Sequence, residues 1–172
     1  MSTKVFLRLK LTVLPKSKYS RLFPITLVLF SFSVGIIAGY YIPRDAPAPV
    51  YERAIVAFVI DGDTIELEDG RRIRYLGIDT PESDESYYSE ATEKNIELVE
   101  GKLVRLQQGN RDMDEYGRFL RYVYADGVFV NAELVAQGYA KAYIFDPNER
   151  YAQILVQLEQ YAKLRHMGLW KR

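Results

Sequence analysis

Residues 61–82 read DGDTIELEDGRRIRYLGIDTPE, and they carry several acids and an arginine at positions that a folded chain brings together. Asp61-Gly62-Asp63-Thr64 opens a strand, Glu68-Asp69-Gly70 is a turn signal, and Arg71 to Leu76 returns antiparallel to the first strand. A hairpin brings its outer ends together, so Asp79-Thr80-Pro81-Glu82 leaves the sheet near the point where Asp63 entered it. Two carboxylates at adjacent strand ends, with a third just beyond, make an oxygen-rich pocket suited to Ca²⁺ or Mg²⁺. Arg74 stands five residues before Asp79, within reach of the same pocket. A hard cation beside a guanidinium points to phosphate chemistry. Taken singly, each part has a plainer reading. Asp-Gly is turn chemistry, Arg74 a solvated strand residue, and Thr80-Pro81-Glu82 a helix start with Thr80 as cap. Their joint occurrence favours the pocket.

Upstream of the hairpin, Ala54 to Ile60 is nearly all apolar, which predicts a buried strand. Ile65 and Leu67 alternate with Glu66 and Glu68, and Arg72, Arg74 and Leu76 are expected to face opposite to Ile73 and Tyr75. Downstream, Ser83 to Glu100 carries a helical pattern through Tyr88, Ala91, Asn95 and Leu98 or Val99, stopped at Gly101. Glu90 and Lys94 are spaced for an ion pair along it. Tyr87 and Tyr88 at its start are expected near Glu82, as core packing or as a stacking platform. Lys102 to Gln107 reads as a strand, residues 111–118 as a polar turn, and Phe119 to Tyr124 as the next strand, turned at Asp126-Gly127 into Val128 to Val130. Asn131 is expected to cap a short helix ending at Gly138. From Asn148 the stripe Tyr151, Ile154, Leu155, Leu158, Tyr161 marks an amphipathic closing helix. The resulting class is α+β: a five-stranded, OB-fold-like Greek-key β-barrel with about three helices.

Composition narrows the chemistry. A chain of 172 residues holds one domain of ordinary size and an appendage. With no cysteine, disulfides, thiolate nucleophiles and zinc–thiolate sites are excluded. The one histidine, His166, lies on a helical pattern near the C-terminus and reads as a surface or packing residue. Hydrolysis would therefore fall to carboxylates, arginines and metal. The zero net charge hides an asymmetry: residues 1–44 hold seven Lys or Arg and no acid, which leaves residues 45–172 at a formal −7. That is an awkward charge for a polyanion binder.

Leu22 to Ile42, LFPITLVLFSFSVGIIAGYYI, runs 21 residues without a charge. As a helix it would be about 31 Å long, enough to cross the hydrocarbon core. Six of the seven basic residues precede it, so the positive-inside rule keeps the N-terminus cytoplasmic and exports the C-terminal remainder of the chain. The expected organisation is a basic segment 1–21, a transmembrane anchor 22–42, a proline-rich linker 43–50 and a folded domain 51–172. The competing reading of 22–42 is a cleaved signal peptide. Its length, and Pro49 after Ala46-Pro47-Ala48, favour the uncleaved anchor.

Four runs, DGDT (61–64), RYLGIDTPE (74–82), DEYGR (114–118) and NAELVAQGYA (131–140), are similar in order and spacing to those of the staphylococcal nuclease (thermonuclease) family. The resemblance covers Tyr51 to Trp170. Carried over position by position, it implies Asp63 and Asp79 as Ca²⁺ carboxylates, the Thr80 carbonyl as a third protein ligand, and Asp61 as an acid just behind them. Pro81 holds Thr80 extended and so fixes where that carbonyl points. The resemblance further implies Glu82 as the base acting on the attacking water, Arg74 and Arg118 as the phosphate grip, and Tyr116 and Tyr143 as nucleotide contacts. The implied activity is Ca²⁺-dependent cleavage of DNA and RNA to 3′-phosphates by a monomer. Glu115 and Phe145 depart from the pattern, where the best-known member has a lysine and a tyrosine, and the loop after Glu82 is shorter and acidic. The alternatives are a non-catalytic module on the same fold that binds nucleic acid or protein, and a tethered scaffold with an incidental metal site.

Overall fold

The computed structural model describes residues 50–146 and 149–171. The expected basic segment, the anchor and all but the last residue of the linker lie outside them. Among the described residues, no helix is long and apolar enough to cross a membrane.

The 61–82 hairpin forms as the sequence dictates. Strand β2 (Thr64–Leu67) pairs antiparallel with β3 (Arg72–Tyr75), Thr64 opposite Arg74 and Ile65 opposite Ile73. Gly70 turns the chain at φ +82°, a conformation that costs a residue without a Cβ little, and donates its N–H to the Leu67 carbonyl at 2.9 Å. Strand β1 (Tyr51–Val59) lies between β2 and the long β5 (Leu103–Met113), and β5 pairs with β6 (Phe119–Ala125). A parallel ladder between β3 and β6 closes the ring in the order β1-β2-β3-β6-β5. This is the expected five-stranded barrel. A short β7 (Val128–Phe129) extends β6, and β4 (Ile78–Asp79) pairs with β8 (Lys141–Ala142) in a separate ladder.

Inside the barrel, Val56, Ile65, Leu67, Ile73, Tyr75, Val104, Leu106 and Val123 are almost wholly buried. Burial of each such side chain contributes roughly 1.5–3 kcal/mol before the cost of ordering it. Among the described residues, three helices cover the barrel, α1 (Tyr88–Val99), α2 (Val130–Ala136) and α3 (Ala152–Leu164). Ala91, Asn95 and Val99 form the buried stripe of α1, and Ala152, Leu155 and Ala162 that of α3.

Several expectations are corrected. The apolar run 54–60 predicts a strand buried on both faces, but only Val56 is fully buried, and Ile55 and Phe58 are 40% and 45% exposed. A barrel strand has a single inner face. Strand β5 runs on to Met113, into the polar turn expected at 111–118, because it resumes pairing with β6 at Met113 beyond an irregularity after Gln108. Helix α1 starts at Tyr88 rather than Ser83. The Glu85 N–H closes a turn onto the Glu82 carbonyl, and Tyr87 at φ +74° breaks any helix before it. Lys94 pairs with Glu97 at 2.9 Å, not with Glu90. Leu76 is buried rather than outward, since the strand ends at Tyr75 and the chain swings at Gly77, φ +78°. Asn131 does not cap α2. It lies inside the helix, fully buried, accepting the Val123 N–H and donating to the Leu76 carbonyl, both at 2.9 Å.

Candidate active site

The outer ends of the hairpin meet as expected, and a missing side chain is what lets them. A Cβ on Gly62 would stand 2.7 Å from Thr80 Oγ1, so only glycine allows the Asp61–Thr64 turn to press on the Asp79–Thr80 segment. The Thr80 N–H then donates to Asp63 Oδ2 at 2.8 Å. Asp63 Oδ1 accepts from Thr64 Oγ1 at 3.2 Å, and the Asp63 N–H donates to Asp61 Oδ1 at 3.0 Å.

Arg74 is built into the same junction. Its Nη1 donates to the carbonyls of Tyr75 (3.1 Å) and Ile78 (2.9 Å) and pairs with Asp63 Oδ2 at 2.9 Å. Its Nη2 pairs with Asp79 Oδ1 at 2.8 Å. One guanidinium thus spans both proposed cation carboxylates. Asp63 is 4% exposed. Burial pushes its pKa up to about 7 against the opposing pull of Arg74, and the Asp61 charge adds to the rise.

These groups open into a cleft of about 620 Å³ lined by Asp61, Asp63, Arg74, Asp79, Glu82, Tyr116, Arg118 and Tyr143. Every expected site residue except Thr80 lines it, and Thr80 lies buried directly behind Asp63. A second depression, walled by Gly70, Arg71, Arg72 and Phe119, shares Glu82, Tyr116 and Arg118 with the first. Those three residues therefore stand where the two hollows meet. Arg118 is steered by Asp114: Nε donates to Asp114 Oδ2 at 2.7 Å, and the Arg118 and Tyr116 N–H groups both donate to Oδ1 at 2.9 Å. The Arg118 guanidinium also lies 5.4 Å from the Tyr116 ring centre. Tyr116 is 76% exposed, and Tyr143 meets Phe145 edge-on at 4.6 Å, so the rim offers aromatic faces to solvent.

The expected carboxylates share one cleft without closing on a single point. Glu82 is exposed, its N–H held by Glu85 Oε2 at 2.9 Å, and Asp61 is occupied with the Asp63 main chain. Among the described residues, no three Asp, Glu or His side chains form a cage for a metal ion. What remains is two carboxylates and neighbouring carbonyls. All are hard oxygen donors, and one is a buried acid whose charge burial disfavours. That chemistry fits Ca²⁺ or Mg²⁺, completed by water and substrate oxygens. Tyr87 and Tyr88 are not in the cleft; Tyr87 packs against Tyr139, with Lys171 over its ring.

One residue that holds the site reads, in the sequence, only as part of a helix stripe. Asn95, fully buried in α1, donates Nδ2 to the Asp61 carbonyl at 2.9 Å and accepts from the Tyr75 hydroxyl at 2.8 Å. Its signal is a primary amide at an apolar position of the stripe.

Barrel and cleft together define an OB-like barrel carrying a carboxylate–arginine site beside its second and third strands. Residues 72–172 match the model of the staphylococcal nuclease homologue family, and the chain belongs to that family. The matched residues include Arg74, Asp79, Thr80, Glu82 and Arg118, and begin after Asp61 and Asp63. The chain is 29% identical over 160 residues to the thermonuclease of Staphylococcus intermedius, covering 84% of this chain and 95% of that one. It is 38% identical over 152 residues to an uncharacterized endonuclease of Escherichia coli O157:H7, covering 85% and 88%. The SPbeta prophage-derived endonuclease YokF of Bacillus subtilis is 38% identical over 125 residues, covering 66% of this chain. The chain spans only 42% of that relative's length.

Proposed function

We propose that this chain is a Ca²⁺-dependent nuclease that hydrolyses phosphodiester bonds of DNA, RNA or both and leaves 3′-phosphates. The observation that carries this reading is Arg74, a preorganised cation fixed by two carbonyls between Asp63 and Asp79 at the floor of a cleft that also holds Glu82 and Arg118. Asp63, Asp79 and the Thr80 carbonyl would hold the cation. The chemistry supplied by Ca²⁺ when bound is Lewis-acid polarisation of the phosphoryl oxygens. Glu82, exposed to solvent in the cleft, takes a proton from the attacking water. The water oxygen bonds to phosphorus while the bond to the 5′-oxygen breaks, and that oxygen takes a proton from solvent and leaves as a 5′-hydroxyl. Arg118 uses Nε on Asp114, and its terminal nitrogens provide further donors to the equatorial oxygens. Arg74 and Arg118 stabilise the charge that builds there. Tyr116 and Tyr143 offer faces on which bases stack.

The test is the chemistry of the ends. Products of a labelled single strand should carry 3′-phosphates and free 5′-hydroxyls, formed with Ca²⁺ and not with chelator. Products bearing 5′-phosphates would contradict the assigned direction of attack. A binding module for protein rather than nucleic acid is the second reading, favoured by one feature: eight described carboxylates line the cleft against three arginines, a balance that repels a polyanion. It predicts that DNA is neither cut nor retained.

Residues 22–42 belong to the same proposal as an uncleaved anchor, with the domain acting as a monomer on the extracytoplasmic side. Resistance to alkaline extraction from membranes, with the domain open to added protease outside spheroplasts, is the expected result. Release of a shortened chain into the medium would favour cleavage instead.

A further inference from the structure

The Asp61–Asp63 turn carries two acids into the cleft, yet it is held from behind by one residue acting at both its ends. The Tyr75 N–H donates to the Asp63 carbonyl at 2.8 Å. The Tyr75 hydroxyl donates to Asn95 Oδ1 at 2.8 Å, and Asn95 Nδ2 donates to the Asp61 carbonyl at 2.9 Å. A carbonyl only accepts, so the amide must present its NH₂ group to Asp61, which leaves Oδ1 for the phenol. The orientation is fixed by chemistry at both contacts.

Asn95 is 0% exposed and comes from a helix 34 residues away from Asp61 in sequence. A buried primary amide is costly to desolvate, and its neighbours on the stripe, Ala91 and Val99, show that this face packs with apolar groups. If α1 served only to cover the barrel, an apolar residue at position 95 would do so without that cost. The amide is explained by what it touches.

On the reading of Asp63 and Asp79 as cation ligands, we infer that Asn95, oriented by Tyr75, is a positioning residue for the cation site. It fixes the main chain of the Asp61–Asp63 turn so that the Asp63 carboxylate meets the cation without rearrangement. Groups behind metal ligands commonly set affinity as strongly as this, with 10- to 100-fold losses on removal.

The test is calorimetric titration of Ca²⁺ into the full-length chain, kept in detergent for its apolar 22–42 stretch, alongside thermal melting in chelator. Asn95→Ala should weaken the Kd about 10- to 100-fold. Tyr75→Phe, which keeps every main-chain bond, should weaken it in the same direction by less. Val99→Ala, on the same buried face one turn on, should lower Tm and leave the Kd as in the wild type. Wild-type Kd in Tyr75→Phe and Asn95→Ala overturns the inference while leaving the nuclease reading intact, and so does an equal loss in Val99→Ala. If Asn95→Ala fails to fold, Tyr75→Phe decides between these outcomes. A wild-type chain that binds no Ca²⁺ overturns both the inference and the cation reading.

Discussion

Arg74 and Arg118 do different things with similar groups. Arg74 is locked by two carbonyls and two carboxylates, and it cannot leave without stranding Asp63, a buried acid. Arg74→Ala should therefore lower both stability and the rate of cleavage. The rate loss expected for one electrostatic donor is on the order of 10²–10³, and initial rates at saturating DNA check it. Arg118 is held through Asp114. Burial raises the Asp114 pKa, but the hydrogen bonds from Arg118 and Tyr116 outweigh it and hold it below its ordinary 3.8. A depressed carboxylate stabilises the fold above its ordinary pKa, and that contribution fades as pH falls through the lower folded value. Asp114→Asn should thus lower the urea midpoint at pH 7, and its gap to the wild type should narrow as pH falls below the ordinary 3.8. A gap that stays constant as pH falls would place the effect in packing instead. The approach of Asp63, Asp79 and Arg74 to one cleft was legible from the spacing of the hairpin, and that of Arg118 from the resemblance carried by DEYGR. The roles of Asp114 and Asn95 were not, because each acts through another residue, and the one local mark of Asn95 is an amide on an otherwise apolar stripe.

The elements are legible wherever one face alternates and obscure wherever pairing overrides composition. The hairpin, α3 and the turn at Gly127 follow from period and glycine placement. The extension of β5 through Asn110 and Arg111 does not, because the strand runs through an irregularity there, with the Asn110 N–H taken by Glu149 Oε1 at 2.9 Å, before Met113 meets Phe119. Asn131 shows the same limit. Its position before an apolar run suggests a cap, whereas tertiary contact makes it a bolt between α2, β6 and the end of β3. Asn131→Ala should leave a buried N–H and a buried carbonyl unpaired, at about 1–3 kcal/mol for each group stranded, measured by chemical denaturation. Gly77 is constrained twice, by φ +78° and by Leu155, whose Cδ1 would lie 2.7 Å from an added Cβ. Gly77→Ala should consequently destabilise more than an ordinary glycine replacement, shifting α3 away from the β3–β4 corner. A wild-type urea midpoint in that variant would contradict this packing.

As a whole the molecule presents an acidic domain to a polyanion. Residues 45–172 carry a formal −7, and the cations aimed into the cleft are few. Each phosphate neutralised on a single strand contributes about −0.7 to the slope of log affinity against log salt. Two arginines therefore predict a slope of about −1.4, far shallower than an extended basic groove would give. A measured slope several times steeper would reveal a cationic footprint beyond Arg74 and Arg118. The sequence makes the charge plain, but its placement in the cleft emerges only when distant segments such as the 61–63 turn, the 114–118 turn and the 143–146 segment come together. The most direct measurement is cleavage of a fluorescent single-stranded DNA by the full-length chain, with Ca²⁺, with Mg²⁺ and with chelator, alongside Glu82→Gln and Arg74→Ala. Cutting is expected with Ca²⁺, lost with chelator and collapsing in both variants. Cutting that survives in Glu82→Gln, or DNA that is bound by the wild type and never cut, would contradict this mechanism.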